Sequence, residues 1–231
     1  MSDYAQSYSE LAGDYNRKRF SGRTGRFNFE RDREIVRSYV RESGAKRILD
    51  VPVGTGRVLE YLKDLDVEIV GIDLTPEMLV DAEKVAHPTR HRLMEGDASK
   101  LPFADGEFDG VSSLRFFHLF PEKDRPAFVR EFLRVLKPGG HLVVSFTNGW
   151  YAGGVNWLKL FAGLQTVYFE YPGELKRLFP GCTVLRRSGN FLPKQWMIDS
   201  VPGLGAAVRL ATNHFPLNRV CWERLYLLRK D

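Results

Sequence analysis

The sequence is poor in the residues that build disulfide frameworks and metal centres. Its 231 residues include two cysteines, Cys182 and Cys221, with no CxxC pair and no histidine cluster at ligand spacing. A disulfide scaffold and a zinc module are therefore not indicated, and both thiols are expected to be buried and reduced. No run of about 18 apolar residues occurs, so no membrane-spanning helix is expected. Met1 to Glu10 is polar and acidic, without the apolar core of a secretion leader, and a cytoplasmic protein is the expectation. Also missing are a GxxxxGK[ST] phosphate loop and the full GxGxxG dinucleotide fingerprint, because Leu59 stands where the third glycine would fall. Neither an internal repeat nor a low-complexity tract is present.

What is present is an ordinary soluble composition, with 43% hydrophobic and 27% charged residues, enough for one large domain with a sizeable core. The net charge of +5 is unevenly spread: residues 1–47 carry +4, residues 48–175 carry −6 and residues 176–231 carry +7. An acidic middle between basic ends means that the overall basicity says little about what the centre binds.

Along the chain, apolar runs alternate with helical patterns, as in βαβ units. Strands are predicted at Arg47–Val53, Glu68–Leu74, Leu93–Asp97, Phe108–Leu114 and His141–Phe146. Helices are predicted at Arg57–Leu65, from the Thr75–Pro76 start signal to about Ala86, and from about Glu122 to Leu136, where Pro138-Gly139-Gly140 stops the last. Two final strands are predicted at Thr183–Phe191 and Cys221–Arg229. Near-continuous apolar strands between helices argue for a parallel sheet covered on both faces.

Three segments stand outside this rhythm. Residues 1–46 are helical by pattern, with Tyr4, Tyr8, Leu11 and Tyr15 along one face. Residues 148–180 are rich in aromatics, among them Trp150, Tyr151, Trp157, Phe161 and Tyr168. Residues 191–218 interrupt the two last strands and include Trp196, Ile198, Leu204, Val208 and Leu210.

The most informative stretch is Asp50-Val51-Pro52-Val53-Gly54-Thr55-Gly56. At the carboxyl end of a first parallel strand, glycines let the backbone approach a ligand, and the helix that follows offers N–H groups to an anion. Asp73 and Asp97 close the second and third strands. Three carboxylates at successive strand ends make an acidic rim suited to hydroxyls, an amine or a cation, although each can also cap a strand or helix end.

In order and spacing, ILDVPVGTG, VGIDLTPEML, EGDASKLPFADGEFDGV and LRVLKPGGHLVVS resemble the successive motifs of the class I S-adenosylmethionine-dependent methyltransferases over about residues 47–147. That family's first motif usually reads D-x-G-x-G-x-G, and this chain has Pro52 at the first glycine. The resemblance implies an α/β, Rossmann-like, doubly wound and mostly parallel seven-stranded sheet, its last strand antiparallel, with helical cap segments. It implies one methyltransferase domain over 1–231: an N-terminal helical cap (1–46), a cofactor core (47–147) and substrate-cap inserts at 148–180 and 191–218.

It also implies that S-adenosylmethionine meets Gly54 and Gly56 at its methionine end, with Asp50 ordering that loop. Asp73 takes the ribose hydroxyls, Leu74 and Leu114 flank the cofactor, and Asp97 with Ala98 reads the adenine edge. Tyr8 to Arg19 is similar to the YxxxAxxYDxxR pattern of the small-molecule branch, which implies that Tyr15 and Arg19 close over the methionine end. A carboxylate-lined site gives the acidic middle a use, since the sulfonium is cationic.

Methyl transfer from a sulfonium needs positioning and desolvation more than a base. Where the acceptor must lose a proton, His118 is the residue near the fourth strand's end that titrates near neutrality. The acceptor is expected between the N-terminal helix and the two inserts, against Tyr8, Arg115, Trp150, Tyr151, Trp157 and Tyr168. Their composition fits a small, hydrophobic or aromatic molecule. Trp157-Leu158-Lys159-Leu160-Phe161 could instead rest on a membrane surface without inserting into it. Two other readings stay open. The basic ends, with Arg17-Lys18-Arg19 and Arg186-Arg187, suit RNA or protein methylation, although no RNA-binding module is evident and no nucleic acid is expected. Pro52 suits a cofactor-binding subunit without turnover. The sequence carries no sign of a metal, and it leaves the oligomeric state open.

Overall fold

A computed structural model of the chain describes residues 23–148, 170, 173–190 and 221–231. Its elements are α1 (Arg23–Ser43), β1 (Arg47–Asp50), α2 (Arg57–Leu62), β2 (Glu68–Asp73), α3 (Pro76–Glu83), β3 (His91–Glu95), β4 (Phe108–Ser113), a 3-10 turn (Phe117–Leu119), α4 (Arg125–Val135), β5 (Leu136–Thr147), α5 (Glu174–Leu178), β6 (Cys182–Asn190) and β7 (Glu223–Lys230). The seven strands form one sheet in the order β3-β2-β1-β4-β5-β7-β6. Strands β1 to β5 pair in parallel, and β7 runs antiparallel to both of its neighbours. This is the mostly parallel sheet with an antiparallel last strand that the motifs imply. The order reverses between β1 and β4, which opens a crevice at their carboxyl ends.

The strands are buried on both faces, and alternate side chains feed two cores. Leu49, Val111, Val144, Tyr226 and Leu228 pack with Phe128, Phe132 and Val135 of α4 and with Leu175 and Leu178 of α5. Ile48, Ile69, Val143, Leu225 and Leu227 pack instead with Val36, Tyr39 and Val40 of α1 and with Leu59, Tyr61 and Leu62 of α2. Helix α1 buries Asn28, Arg31, Asp32, Ile35, Val36, Tyr39 and Val40, one stripe at helical spacing. It stops at Gly44, whose φ of 65° allows its N–H to reach back to the Val40 carbonyl at 3.1 Å.

Several boundaries differ from the pattern. Helix α4 begins at Arg125 rather than Glu122 because Pro126, in its first turn, sets the start. The Pro138-Gly139-Gly140 run was expected to end the helix ahead of a strand at His141. Strand β5 instead starts at Leu136, paired with Phe108, and the glycines fold into an irregularity between the Phe108 and Gly110 pairings. Strand β1 closes at Asp50, yet ladder-like bonds continue: Val51 N–H reaches the Ser112 carbonyl at 2.9 Å and Val53 N–H the Ile72 carbonyl at 2.8 Å. The Val51–Pro52 peptide between them is cis. Strand β3 is displaced by two residues, to His91–Glu95. Inside the expected 148–180 insert, Leu175, Leu178 and Phe179 join the core, and Arg125 of α4 meets Glu174 in a fully buried ion pair.

Candidate functional site

The carboxyl ends of β1, β2 and β4, with the loop after β3, surround a cleft of about 170 Å³. Its walls include Asp50, Gly54, Asp73, Leu74, Asp97, Ala98, Leu114 and Arg115, eight residues that the sequence singled out. Gly56 and His118 are not among them. Tyr8, Tyr15, Arg19, Trp150, Tyr151, Trp157 and Tyr168 lie outside the described residues.

The glycine turn is held from below by β2. The Asp73 carboxylate accepts the Gly54 N–H at 2.8 Å with one oxygen and the Thr75 N–H at 3.0 Å with the other. The Gly56 N–H is taken by the Val53 carbonyl at 3.0 Å. Two N–H groups of the turn are therefore spent internally, and α2 is only six residues long, so the anion site expected at its start loses those donors. The two glycines have different reasons to be glycine. Gly54, at φ 53°, has open space where a side chain would stand. At Gly56, φ 78°, a Cβ would lie 2.6 Å from Val85 Cγ2 and 3.0 Å from Ala82 Cα, so its role is the close approach of the turn to α3.

Of the three carboxylates expected at strand ends, Asp97 lies two residues beyond the end of β3, and two of the three have local bonds. Asp73 has those just given, and Asp97 accepts the Ser99 N–H and the Ser99 hydroxyl, each at 2.8 Å. Asp50 is different: it is 1% exposed, and among the described residues neither of its oxygens has a partner at hydrogen-bond distance, although the Ser112 hydroxyl is close enough to favour its charge. Burial pushes its carboxyl up to about 8, with Ser112 and Arg57 pulling down and Asp73 pushing further up. Asp73 is also raised, by burial first, against the N–H groups of Thr75 and Gly54. A buried acid with empty acceptor positions costs folding free energy unless a cation or a donor completes it. The β1 end of the cleft therefore offers a buried carboxyl that a ligand's donor or cation can complete.

Toward α4 the wall turns apolar, with Met78, Ala98, Phe116, Leu119, Phe120 and Phe128. The Phe116, Phe120 and Phe128 rings meet pairwise at 4.6 to 4.8 Å between centroids, a rigid aromatic side to the cleft.

Beyond Leu114 the wall is ionic. Arg115 has a left-handed backbone, φ 55°, and its N–H is fixed by the Ser145 hydroxyl at 2.8 Å. Its Nε donates to Glu223 at 3.0 Å and its Nη2 to Asp32 at 2.7 Å. Ser145 in turn donates to Glu223 at 2.7 Å, Asn190 donates to Asp32 at 2.6 Å, and Arg57 stands 3.8 Å from Asp32. Burial alone would raise Glu223, but Arg115 and Ser145 outweigh it and hold the carboxyl below its ordinary value. Asp32 is raised by burial, with Arg115 pulling against it. His118, on the 3-10 turn, is half-buried and acts on Glu223 through its charge.

Sequence reasoning missed Asp32, Arg57, Asn190 and Glu223. One signal was available: Asp32 sits on the apolar stripe of α1, where a solvated aspartate has no place. Asn190 and Glu223 come together only through the register of β6 with β7, which places them opposite each other, and Arg57 reaches Asp32 from the start of α2.

The family model described as methyltransferase domain matches residues 49–144. Over 181 residues the chain is 33% identical to a demethylmenaquinone methyltransferase of Staphylococcus aureus, covering 66% of this chain and 74% of that protein. It is 41% identical over 107 residues to a demethylmenaquinone methyltransferase of Thermus thermophilus, covering 45% of this chain and 48% of that protein. The chain thus spans about half the length of the Thermus relative. Among solved structures, magnesium protoporphyrin IX methyltransferase from Synechocystis PCC 6803, with S-adenosylhomocysteine bound, superposes with a TM-score of 0.69 at 15% identity, covering 100% of both chains.

Proposed function

The chain belongs to the class I S-adenosylmethionine-dependent methyltransferases, and from that premise we propose that it transfers a methyl group to a small, hydrophobic or aromatic acceptor. The observation that carries this reading is Asp50, a buried acid with no hydrogen bond among the described residues, on the wall of a cleft at the sheet's switch point. S-adenosylmethionine supplies, when bound, a methyl group already activated on a cationic sulfur. Asp50 and the open side of Gly54 suit its methionine end, where Tyr15 and Arg19 would close. Asp73 keeps lone pairs for ribose hydroxyls beyond its two backbone bonds. Leu74, Ala98, Asp97 and Leu114 suit the adenine.

The protein's own part is positioning and the exclusion of water, which in favourable cases supply roughly 7 to 11 kcal/mol of a barrier. One insert leaves the end of β5 and the other the end of β6. Asn148 N–H and Nδ2 reach the carbonyls of Trp222 and Cys221, at 2.8 and 2.7 Å, and Asn190 faces Glu223. This supports residues 149–169 and 191–220 as the acceptor cap, with Tyr8, Arg115, Trp150, Tyr151, Trp157 and Tyr168 around the acceptor. His118 is the residue to take a proton where the acceptor must lose one. Among the described residues no helix is long and apolar enough to cross a membrane, and we place the enzyme in the cytoplasm.

A demethylated quinone, the compound class after which these relatives are named, is the first acceptor to test, followed by simple phenols and amines. Transfer of label from methyl-labelled S-adenosylmethionine to one of these is the expected result. Cofactor binding with no transfer to any small acceptor, or transfer to RNA alone, would overturn the reading.

A further inference from the structure

Arg115, like Arg57 on the same cleft wall, poses an electrostatic problem. A guanidinium stays protonated at every relevant pH, and this one lines the same cleft as Asp50, where a positively charged ligand is proposed to bind. Left alone, it would repel that ligand. It is not left alone: Glu223 and Asp32, 5% and 2% exposed, bond to its Nε and Nη2 from two different elements. Ser145 braces both the Arg115 backbone and Glu223, and Asn190 braces Asp32. With Arg57 beside Asp32, the group is a set of two acids and two guanidiniums.

We propose, on the reading of S-adenosylmethionine as cofactor, that Glu223 and Asp32 are positioning residues that cancel the charge of Arg115, so that the cleft admits a cationic sulfonium without the repulsion that would favour the neutral sulfide left after transfer. Two features support a tuned charge rather than a simple structural tie. The acids converge from α1 and β7 on one side chain, although either alone would anchor it. The Arg115 backbone is also held in a left-handed conformation, costly for a residue with a Cβ, which aims the guanidinium at the pair.

The test compares two ligands that differ by one charge, S-adenosylmethionine and S-adenosylhomocysteine, by calorimetry at low ionic strength. Glu223→Gln makes the charge of this set more positive by one. A unit charge about 10 Å away, at an effective dielectric of about 20, changes affinity on the order of tenfold. The expected result is therefore sulfonium binding weakened about tenfold, with sulfide binding changed by less than about threefold. The double variant Arg115→Gln/Glu223→Gln, balanced again by Arg57 and Asp32, is expected to return the ratio of the two affinities to the wild-type value. A purely structural role would weaken both ligands together and would not be rescued by the second substitution, and either result overturns the proposal. Asp32→Asn carries the same expectation independently, so the test does not hang on one variant folding. A wild-type protein that binds neither ligand would instead refute the cofactor reading itself.

Discussion

Replacing Asp50 by Asn should make the protein more stable and its cofactor weaker at the same time. In the folded chain the Asp50 carboxyl is raised to about 8 from an ordinary 3.8, chiefly by burial. The unfolded chain gives up this proton above about pH 4, whereas the folded chain keeps it until about pH 8. The folded state therefore binds more protons through that window, and stability falls as pH rises across it. At about 1.36 kcal/mol per unit, this one group removes about 4 kcal/mol of stability at pH 7 relative to strongly acidic solution.

Asn cannot ionise, so the term disappears from the variant. Asp32 and Glu170 are also raised by burial, but they remain in both proteins and cancel in the comparison, whereas Asp73, which pushes Asp50 up, is itself relieved in the variant. Urea unfolding of the two proteins between pH 5 and pH 8 is expected to show their difference growing by about 4 kcal/mol in favour of Asn. A cation bound against Asp50 should ionise it. Calorimetry near pH 7 in buffers of different ionisation enthalpy should then detect about one proton released by the wild type and none by the variant. Parallel stability curves, within about 1 kcal/mol, would refute the claim that an unsatisfied acid is stored in this cleft.

Gly56→Ala places a Cβ against Val85 and the α3 backbone at a left-handed φ, and a loss of about 1 to 3 kcal/mol is expected in urea unfolding. Gly54→Ala, where space is open, is expected to cost less stability, yet to weaken S-adenosylhomocysteine binding more than Gly56→Ala does. Arg125→Ala strands Glu174 in the core between α4 and α5, and breaking such a pair is expected to lower stability by about 3 to 5 kcal/mol, read from thermal and urea melts. His118→Ala is expected to reduce turnover at least about 100-fold on acceptors that must lose a proton, while leaving S-adenosylhomocysteine affinity intact. Unchanged turnover and pH profile would remove His118 from the chemistry.

Much of the sheet can be read in sequence because its signals are local. ILDV, EIVGID and HLVVSF are apolar runs with helical patterns between them, and the acid at each strand end needs only the strand to be placed. Boundaries failed where one residue overrode the pattern, as when Pro126 set the start of α4 or when Pro138-Gly139-Gly140 was absorbed into β5 as an irregularity. Contacts across the chain were beyond reach. Asp32 and Glu223 are 191 positions apart, and only the docking of α1 and the antiparallel insertion of β7 bring both to Arg115. The same reasoning gave Gly54 and Gly56 one shared role, because sequence does not show which way the missing Cβ would point.

The stretches 149–169 and 191–220 each depart and return at adjoining points. Asn148 bridges Glu170, and Asn190 faces Glu223 in register. The sheet thus closes the base of each excursion by itself, and changing an excursion's length alters its closure entropy by only about 0.6 kcal/mol per doubling. On the proposal that these stretches form the acceptor cap, one scaffold changes what it methylates by exchanging a detour between fixed gateposts, with the strands left as they are, and a chimera carrying a relative's segment between Asn190 and Glu223 tests whether specificity moves with it.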